Sequence, residues 1–551
     1  MNEEPLTHEQ IEQRLGAMAT PPPPIPSSLY GYVRGLPGEY PRDYSRRGIP
    51  LWRRPRRRLV TAASAIAAVL VIALGGSLLM QVTKTPPAGL PSGSASASPT
   101  GTPAHSATAS TPKTTLVWFV GAGPGGSPDQ VQVETDFVNR YNHTNTDNIS
   151  LQLALVSNGP VSLQEQIDTG KGPDIIGPVG IEGRGVTLAS DMLGLNDLIA
   201  RNHTDLNAYP PALLRTFRNS AGQYEGLPYD QYPAFIFYNK DLFKAAGLPD
   251  LPTRVGEKYI GQDWTWDELS TIAKQLTVDT SGKTSTDPGF DPSKTQSYGF
   301  DTQYIGDLRR FATSFGPGSY VRPDGKTAQI PPAWEQASKW YYDAMWTEHF
   351  APTNAERTAA GMGAGDTIPT GRVAMDLAWA WTINSFGPQD ASGYPTSSPA
   401  PPYKHWDMGV LPSNNGITTD PIDTDTFVIN KYSKNPDAAY KAMLAIMADP
   451  SLMPIYGGMP VDVSQQAAYF KTTQASVDKQ FANNPVTWSV LTEMVKYAAS
   501  PTHLDPMPNY DKALTADKAL YAKLQAAGGL NLDAEIAKFK ATLQADFNAA
   551  P

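Results

Sequence analysis

The sequence of 551 residues contains no cysteine. This absence excludes disulfide bonds, catalysis by a thiolate, cysteine-ligated zinc and iron–sulfur clusters. It also excludes a lipid carried by an N-terminal cysteine of a mature secreted protein. The cysteine content therefore gives no information about the redox compartment in which the protein works.

Signatures of several enzyme classes are missing as well. The seven histidines include no His-x-x-x-His pair for zinc, and no GxxxxGK loop is present to hold a phosphate. No Gly-x-Ser-x-Gly nucleophile elbow occurs in the part of the chain that we expect to fold. Carboxylates are plentiful, but no pattern singles out the acid and the nucleophile of a glycoside hydrolase. We therefore expect a protein that is not an enzyme and that needs no metal or organic cofactor.

Positive charge is scarce outside the start of the chain. The net charge is −9, whereas residues 1–58 hold ten arginines against six acidic residues, which is a surplus of +4 and leaves −13 for the rest. Because a polyanion is held by basic surface, we expect no nucleic acid among the partners of the large acidic part.

Long apolar runs are also scarce, and one run stands out. Residues 59–82 contain no charge over 24 positions, more than the roughly 20 that a helix needs to cross a bilayer. Five arginines lie within residues 53–58, directly before the run, and the positive-inside rule then places the N-terminus in the cytoplasm. The alternative is a cleavable secretory signal, but the 58 residues before the run are many more than precede the apolar part of an ordinary signal peptide. We predict a single-pass anchor in the lipid bilayer of the cell membrane, with the large part of the chain that follows it extracellular.

The segments on both sides of this run have the composition of unfolded chain. Residues 1–58 include four consecutive prolines and too few apolar side chains for a core, which predicts a disordered cytoplasmic tail. Residues 83–113 consist mainly of Ser, Thr, Ala, Pro and Gly without hydrophobic periodicity, which predicts a flexible linker. The folded domain is therefore expected at residues 114–551.

Residues 114–551 begin with alternating strand and helix patterns. The run Thr114 to Val120 predicts a strand, the glycine-rich segment 121–126 a loop, and Ser127 with the following proline a helix start. Further strands are predicted from Ile149 and before Tyr238, the latter followed by a helix capped by Asn239. This alternation is typical of an α/β fold with a mostly parallel sheet, in which ligands bind beyond the carboxyl ends of the strands.

Nine short motifs in this region resemble one family, in the family's order along the chain. They are GKGPDII at 170–176, GLPYD at 226–230, FYNKDLFKAAGLP at 237–249, TWDEL at 265–269, YGF at 298–300, GRVAMDLAWAW at 371–381, WDMGVLP at 406–412, INKYSKNPDAAYKAM at 429–443 and PMPNY at 506–510. The chain thereby resembles the bacterial extracellular solute-binding proteins of ABC importers, in particular the sugar-binding group related to maltose-binding protein.

The resemblance implies a two-lobed periplasmic-binding-protein-like fold with a hinge and a ligand cleft between the lobes. By analogy, lobe 1 comprises about residues 114–231 and 420–460, and lobe 2 about 232–419 and 461–551. The family's function implies a monomer that captures a carbohydrate by hinge closure and delivers it to the permease subunits of an ABC transporter.

Aromatic candidates for the ligand site follow from this resemblance. Trp379 and Trp381 match a Trp-Ala-Trp segment that stacks on sugar in relatives, and aromatic faces suit the apolar face of a sugar ring. Trp118 lies at the end of the first predicted strand, beside the glycine-rich loop that faces the cleft in the family. For all three the alternative is burial in the core.

Polar candidates come from the same comparison. Asp174 resembles an aspartate that more often caps the structure at the cleft edge than contacts ligand, and Glu182 stands where some relatives carry a charged sugar contact. Tyr229 and Asp230 follow the GLP turn and are expected to contact ligand or to belong to the hinge. Tyr510 occupies the position of a late aromatic residue of the second lobe that reaches the ligand.

Two departures from the family pattern lead to further expectations. The family usually has glycines between the strand of the GVLP motif and the next strand, where this chain has the segment 418–427 with Asp423 and Asp425. We expect these two aspartates either to face the cleft and favour a hydroxyl-rich or cationic ligand, or to form a solvated acidic turn. The missing lipid-carrying cysteine makes the helix at 59–82 the expected anchor. Two other functions stay open: an ectodomain that signals through this helix, and a carbohydrate-processing enzyme.

Overall fold

The structure, a computed structural model, describes residues 113–549 except for 156–159, 171, 181–190, 220, 303–307, 361, 363–366, 386–402 and 482–483. The predicted tail, the predicted transmembrane helix at 59–82 and all but the last residue of the predicted linker lie outside these ranges. Within the described ranges, no helix is both long and apolar enough to cross a membrane.

The strands of the described residues are short and lie between residues 114 and 460. They are β1 Thr114–Val120, β2 Ile149–Leu155, β3 Ile175–Val179, β4 Leu227–Pro228, β5 Asp230–Gln231, β6 Ala234–Asn239, β7 Lys258–Tyr259, β8 Gln262–Asp263, β9 Val278–Asp279, β10 Thr295–Thr302, β11 Val373–Trp379, β12 Trp406–Gly409, β13 Thr426–Ile429 and β14 Met459–Pro460.

The α-helices of the described residues connect these strands and form the C-terminal part of the domain. They are α1 Pro128–Thr144, α2 Pro160–Asp168, α3 Asn196–Arg201, α4 Pro211–Thr216, α5 Lys240–Ala245, α6 Trp266–Leu276, α7 Leu308–Thr313, α8 Pro332–Trp346, α9 Asn354–Ala359, α10 Pro436–Ala448, α11 Met453–Tyr456, α12 Val463–Phe481, α13 Ser489–Met494, α14 Tyr510–Ala526 and α15 Leu532–Asn548.

Helix starts follow the capping residues that the sequence contains. Ser127 and Gln130 form a capping box at α1, in which each side chain accepts the backbone N–H of the other. Asn239 accepts the N–H groups of Asp241 and Leu242 at α5, as predicted. These caps satisfy donors that a helix leaves unpaired, so the strand-to-helix turns are defined locally.

The first lobe is built on a five-stranded sheet of order β2-β1-β3-β13-β4. Strand β1 runs parallel to β2 and β3, whereas β13 enters from late in the chain and runs antiparallel to β3 and β4. Helix α10 follows β13, and its buried side chains such as Tyr440 and Met443 join the core beneath this sheet. This lobe therefore combines residues far apart in sequence.

The second lobe is built on a five-stranded sheet of order β12-β6-β11-β10-β9. Strands β10 and β11 are parallel, and β6 is antiparallel to β11 and β12. Its core also takes in side chains of the C-terminal helices, among them Leu524 of α14 and Leu543 of α15. Two α/β lobes result, as the sequence predicts.

Three stretches of chain pass between the two sheets, at residues 229–233, 418–425 and 457–462, and we call them the crossing segments. Strand β5 of the first pairs antiparallel with β14 of the third, and Tyr232 of the first bridges Asp423 of the second. The crossing segments are therefore hydrogen-bonded to one another.

Candidate ligand-binding cleft

The carboxyl ends of the parallel strands of both lobes adjoin the crossing segments. In the first lobe, Gly180 directly follows β3, and a Cβ added to it would lie 3.1 Å from Asp425 Oδ1. In the second lobe, the backbone N–H of Ala380, directly after β11, donates to Pro233 O at 3.2 Å. Ligands of α/β proteins collect at such carboxyl ends, so the candidate cleft lies between these two edges.

Trp379 and Trp381 stand together at the lobe 2 edge of this cleft. Their rings are parallel, with an interplanar angle of 1° and centroids 5.3 Å apart. Trp379 is fully buried and its indole N–H donates to Pro421 O at 2.9 Å. Trp381 is only half-buried and meets Tyr232 edge-on at 5.2 Å. Trp379 is therefore the buried member of the pair, and Trp381, which stacks on it, is the member with solvent-accessible surface.

Arg310 lies beside both indole rings, and sequence reasoning missed it. Its Cζ is 5.7 Å from the centroid of Trp379 and 5.7 Å from that of Trp381, within the range of a cation–π contact. Its Nε lies 3.1 Å from Asp423 Oδ2 on the second crossing segment. The available signal was an arginine ten positions after the end of the YGF motif.

Asp423 has two side-chain partners, one on each carboxyl oxygen. Besides Arg310, His503 approaches it, with Nε2 3.3 Å from Asp423 Oδ1. Both Asp423 and His503 are buried. Asp423 therefore lies next to the aromatic pair rather than in a solvated acidic turn.

Asp230 is the buried acceptor that joins the first two crossing segments. Its Oδ1 accepts the backbone N–H of Asp425 at 2.9 Å, and its Oδ2 accepts the hydroxyl of Tyr232 at 2.9 Å. Burial disfavours the ionised form and raises the pKa of Asp230 to about 7. Because the side chain is fully buried, the structure places Asp230 in the hinge rather than on the cleft surface.

The Tyr232 hydroxyl connects the first two crossing segments and the end of α11, directly before the third. The hydroxyl oxygen lies 2.9 Å from Asp230 Oδ2, 3.2 Å from Asp425 Oδ2 and 3.4 Å from Tyr456 O. A hydroxyl has one proton, so the two carboxylates compete for it. Asp425 is thus tied into the hinge and is largely buried.

Tyr229 and Glu134 form a buried polar cluster with Tyr456 beneath the glycine-rich loop. Tyr456 donates to Glu134 Oε1 at 2.8 Å, and its ring meets that of Tyr229 at 6.0 Å. Burial raises the pKa of Glu134 to about 8 and holds that of Tyr229 well above its ordinary value. A Cβ on Gly125 would lie 2.7 Å from Glu134 Oε1, so the loop is packed directly on this carboxyl group.

Trp118 lies in the core of lobe 1 and not on the cleft. It has no exposed surface, its indole N–H donates to Gly177 O at 2.8 Å, and its ring packs between Phe137 and Phe427. The alternative that the sequence left open, burial, is therefore what the structure shows.

Asp174 lies at the amino end of β3, and the candidate cleft adjoins the carboxyl end of the same strand. This position corrects the prediction that Asp174 lies at the edge of the cleft. It precedes β3, and its carboxylate accepts Val117 N–H at 2.9 Å and the hydroxyl of Ser433 at 2.5 Å. The five residues of β3, at about 3.3 Å each, separate it from the carboxyl end of that strand. Its role is a cap that joins β1 to the end of β13.

Tyr510 and Glu182 are not brought to the aromatic pair by any described contact. Tyr510 begins α14, and its hydroxyl accepts Arg309 Nη1 at 3.4 Å. Arg309 is buried and forms an ion pair with Asp517 at 3.3 Å, so Tyr510 takes part in a packed charge network of lobe 2. Glu182 lies outside the described residues.

Solved structures share this fold at low identity. An ABC substrate-binding protein from Listeria monocytogenes, in complex with cycloalternan, has a TM-score of 0.57 and 16% identity, covering 80% of this chain and 100% of its own. The sugar-binding protein MalE from Xanthomonas citri has a TM-score of 0.54 and 16% identity, with coverages of 79% and 97%. A solute-binding protein of an ABC transporter from Thermotoga lettingae, bound with α-D-tagatose, has a TM-score of 0.53 and 19% identity, with coverages of 79% and 100%.

The family assignment comes from the sequence itself. A comparison with curated proteins finds no significant match. Residues 126–450, more than half of the chain, match the family model of the bacterial extracellular solute-binding proteins. The resemblance carried by the nine motifs is thereby confirmed, and the chain belongs to the bacterial extracellular solute-binding protein family.

Proposed function

We propose that this protein captures a carbohydrate in the cleft between its lobes and delivers it to the permease subunits of an ABC importer. The observation that carries the proposal is the half-buried Trp381, stacked on Trp379 and flanked by Arg310 and Asp423. An aromatic face beside a donor and an acceptor suits a sugar, which has an apolar ring face and hydroxyl groups at its rim.

Hinge closure is the proposed means of capture. The crossing segments join the lobes, and a ligand that touches both edges stabilises the closed form in proportion to its extra contacts there. A micromolar dissociation constant requires about 8 kcal/mol. Stacking on Trp381 and several hydrogen bonds made in a closing cleft can supply it.

The relatives support the carbohydrate part of the proposal. The Listeria protein was solved with cycloalternan and the Thermotoga protein with α-D-tagatose. The membrane anchor at residues 59–82 is proposed from the uncharged run in the sequence alone. The anchor would hold the binding domain outside the cell and keep it near its transporter.

The test is a calorimetric titration of the full chain, kept in detergent or lipid nanodiscs, with mono- and oligosaccharides. We expect at least one sugar to bind and Trp381→Ala to weaken its binding by about tenfold or more, since a stacked ring contributes about 1 kcal/mol beyond its buried area. Tyr432→Ala is the control, because Tyr432 is an aromatic residue with 49% exposure that follows β13 at the far edge of the sheet. Binding of amino acids or peptides but of no sugar would contradict the carbohydrate proposal.

A further inference from the structure

The ion pair of Arg310 and Asp423 is built into the wall of the cleft. The paired atoms, Arg310 Nε and Asp423 Oδ2, lie 3.1 Å apart and have almost no accessible surface. The Arg310 side chain as a whole keeps 18% of its exposure and that of Asp423 keeps 12%. The charges are therefore locked together beside the aromatic pair.

The pair joins two elements whose relative position shapes the cleft. Arg310 belongs to α7 of lobe 2, whereas Asp423 belongs to a crossing segment. Arg310 Cζ is 5.7 Å from the centroids of both Trp379 and Trp381, so the guanidinium lies at the side of the stacked pair, where the polar rim of a ring on Trp381 can extend towards it. A ligand on this platform meets the charge of Arg310 and of its partner.

Beside the stacked pair of Trp379 and Trp381, the acidic side chains outnumber the arginine. Asp423 compensates Arg310, and Asp425 adds a carboxylate two residues further on, with its Oδ1 next to the position of Gly180. His503 lies on the other oxygen of Asp423. An anionic ligand would have to compete with Asp423 for Arg310 and would approach Asp425, at a cost that grows in a dry cleft.

We propose that the Arg310–Asp423 ion pair sets the charge preference of this site, so that it selects uncharged, hydroxyl-rich carbohydrates over acidic sugars. This inference rests on the proposed function and narrows its ligand class. Neutral hydroxyl groups both donate and accept, so they bind beside a guanidinium and a carboxylate without breaking the pair. Removing either partner exposes the other charge to the ligand and changes the preference in opposite directions.

The experiment measures how three charge forms of one sugar bind to the full chain. Calorimetry at pH 7 compares D-glucose with D-glucuronate and D-glucosamine, and D-galactose with D-galacturonate and D-galactosamine, with cellobiose and cellobiouronate added for a disaccharide site. The wild-type protein is expected to bind a neutral member about tenfold or more tighter than its acid.

Two variants then move the preference in opposite directions. In Asp423→Asn the side chain keeps its shape but leaves Arg310 uncompensated, and the acid is expected to gain about tenfold relative to the neutral sugar. In Arg310→Gln the carboxylate is left uncompensated, and the amino sugar is expected to gain by a similar factor. Asp533→Asn is the matched control, because it removes the carboxylate of an ion pair with Lys339 in which the Asp533 side chain is 82% exposed.

The outcomes separate this inference from the proposed function. If sugars bind but neither variant changes the ratio between charge forms, the role of the ion pair is refuted while carbohydrate capture stands. If neither neutral nor charged sugars bind to the wild-type protein, carbohydrate capture fails and the inference fails with it. Should Asp423→Asn not fold, as judged by thermal melting, Arg310→Gln alone decides, because it tests the same pair from the other side.

Discussion

At the residue scale, two tryptophans two positions apart have different roles. Trp379 is fully buried and hydrogen-bonded to Pro421 O, while Trp381 remains half-buried and stacked on it. The sequence predicted aromatic residues of the site at both positions and left core burial open. Strand β11 ends at Trp379, so the turn after it, and not strand alternation, decides which ring is exposed.

Asp230 leads to a prediction about pH. The pKa of this buried carboxyl group is raised from 3.8 to about 7, so between these values the folded state holds a proton that the unfolded chain releases. The free energy of unfolding should therefore decrease as the pH rises from about 4 to 7. Asp230→Asn stays neutral and should be more stable than the wild-type protein at pH 8, by about 2–4 kcal/mol.

Urea denaturation of the Asp230→Asn variant at pH 5 and pH 8 checks this prediction. The pKa of Glu134 is also raised, to about 8, so this group too makes the free energy of unfolding fall as the pH rises. Part of the pH dependence should therefore persist in the variant. Asp533→Asn, at an exposed carboxylate, should show no comparable difference. If the free energy of unfolding differed between Asp230→Asn and the wild-type protein by the same amount at pH 5 and at pH 8, the pH dependence of stability could not be assigned to Asp230.

At the scale of elements, the YGF motif marks a close approach between α6 and β10. Gly299 lies in β10, and a Cβ added to it would lie 1.9 Å from Ala273 O of α6. The helix can rest on the strand at this point because glycine has no side chain. The motif was therefore recognised in the sequence as a resemblance, but its physical reason is helix–strand packing.

Gly299→Ala should destabilise the second lobe strongly. The added methyl group meets backbone atoms of Ala273, which cannot move away as a flexible side chain can, and we expect a loss of about 3 kcal/mol or more. Thermal and urea denaturation measure the loss. Gly126→Ala is the control, because its Cβ would contact only Gly121 Cα, at 3.7 Å. A variant at Gly299 as stable as the control would show that α6 is not packed as described.

At the scale of the whole molecule, the hinge is a polar structure rather than a simple flexible link. The Tyr232 hydroxyl bonds to Asp230 and Asp425 of the first two crossing segments and to the backbone of Tyr456, which directly precedes the third, and its ring contacts Trp381. The same side chain thus contacts both the aromatic pair and the hinge. This contact provides a physical route by which stacking on Trp381 can affect the relation between the lobes.

Tyr232→Phe should impair both stability and ligand capture. It removes the donor shared by two buried carboxyl groups, at a cost of about 1–3 kcal/mol. We expect several-fold weaker sugar binding because a hydrogen bond that holds the crossing segments beside Trp381 is lost. Urea denaturation and calorimetry measure the two effects. Tyr259→Phe is the matched control, since it loses one hydrogen bond to Pro249 O in lobe 2 and should leave affinity unchanged. Equal effects of both variants on affinity would contradict the role of Tyr232.

The run at residues 59–82 leads to a prediction about the cell. If it is an uncleaved anchor, the full-length chain should remain in the membrane fraction after alkaline carbonate extraction, and deletion of residues 59–82 should release it. The reason is that 24 uncharged residues suffice to cross a bilayer as a helix. A mature protein found free in the medium and cleaved after this run would show that the run is a secretory signal.

The sequence by itself determined the local elements and the family. Capping residues such as Ser127 and Asn239 act within a few positions of the helix that they begin, so their effect can be predicted from neighbours in the chain. The ordered motifs between residues 170 and 510 identified the family, and the two-lobed fold followed from that resemblance.

Only the tertiary structure decided which candidate residues meet at the cleft. Arg310 and Asp423 are more than a hundred residues apart in the chain and come within 3.1 Å because α7 and the second crossing segment lie against each other. In lobe 1, packing against Phe137 and Phe427 buries Trp118, and the direction of β3 leaves Asp174 at the end of the strand away from the cleft. Burial and pairing across crossing segments depend on how distant elements are arranged in space, and a reading of residues in order contains no measure of that distance.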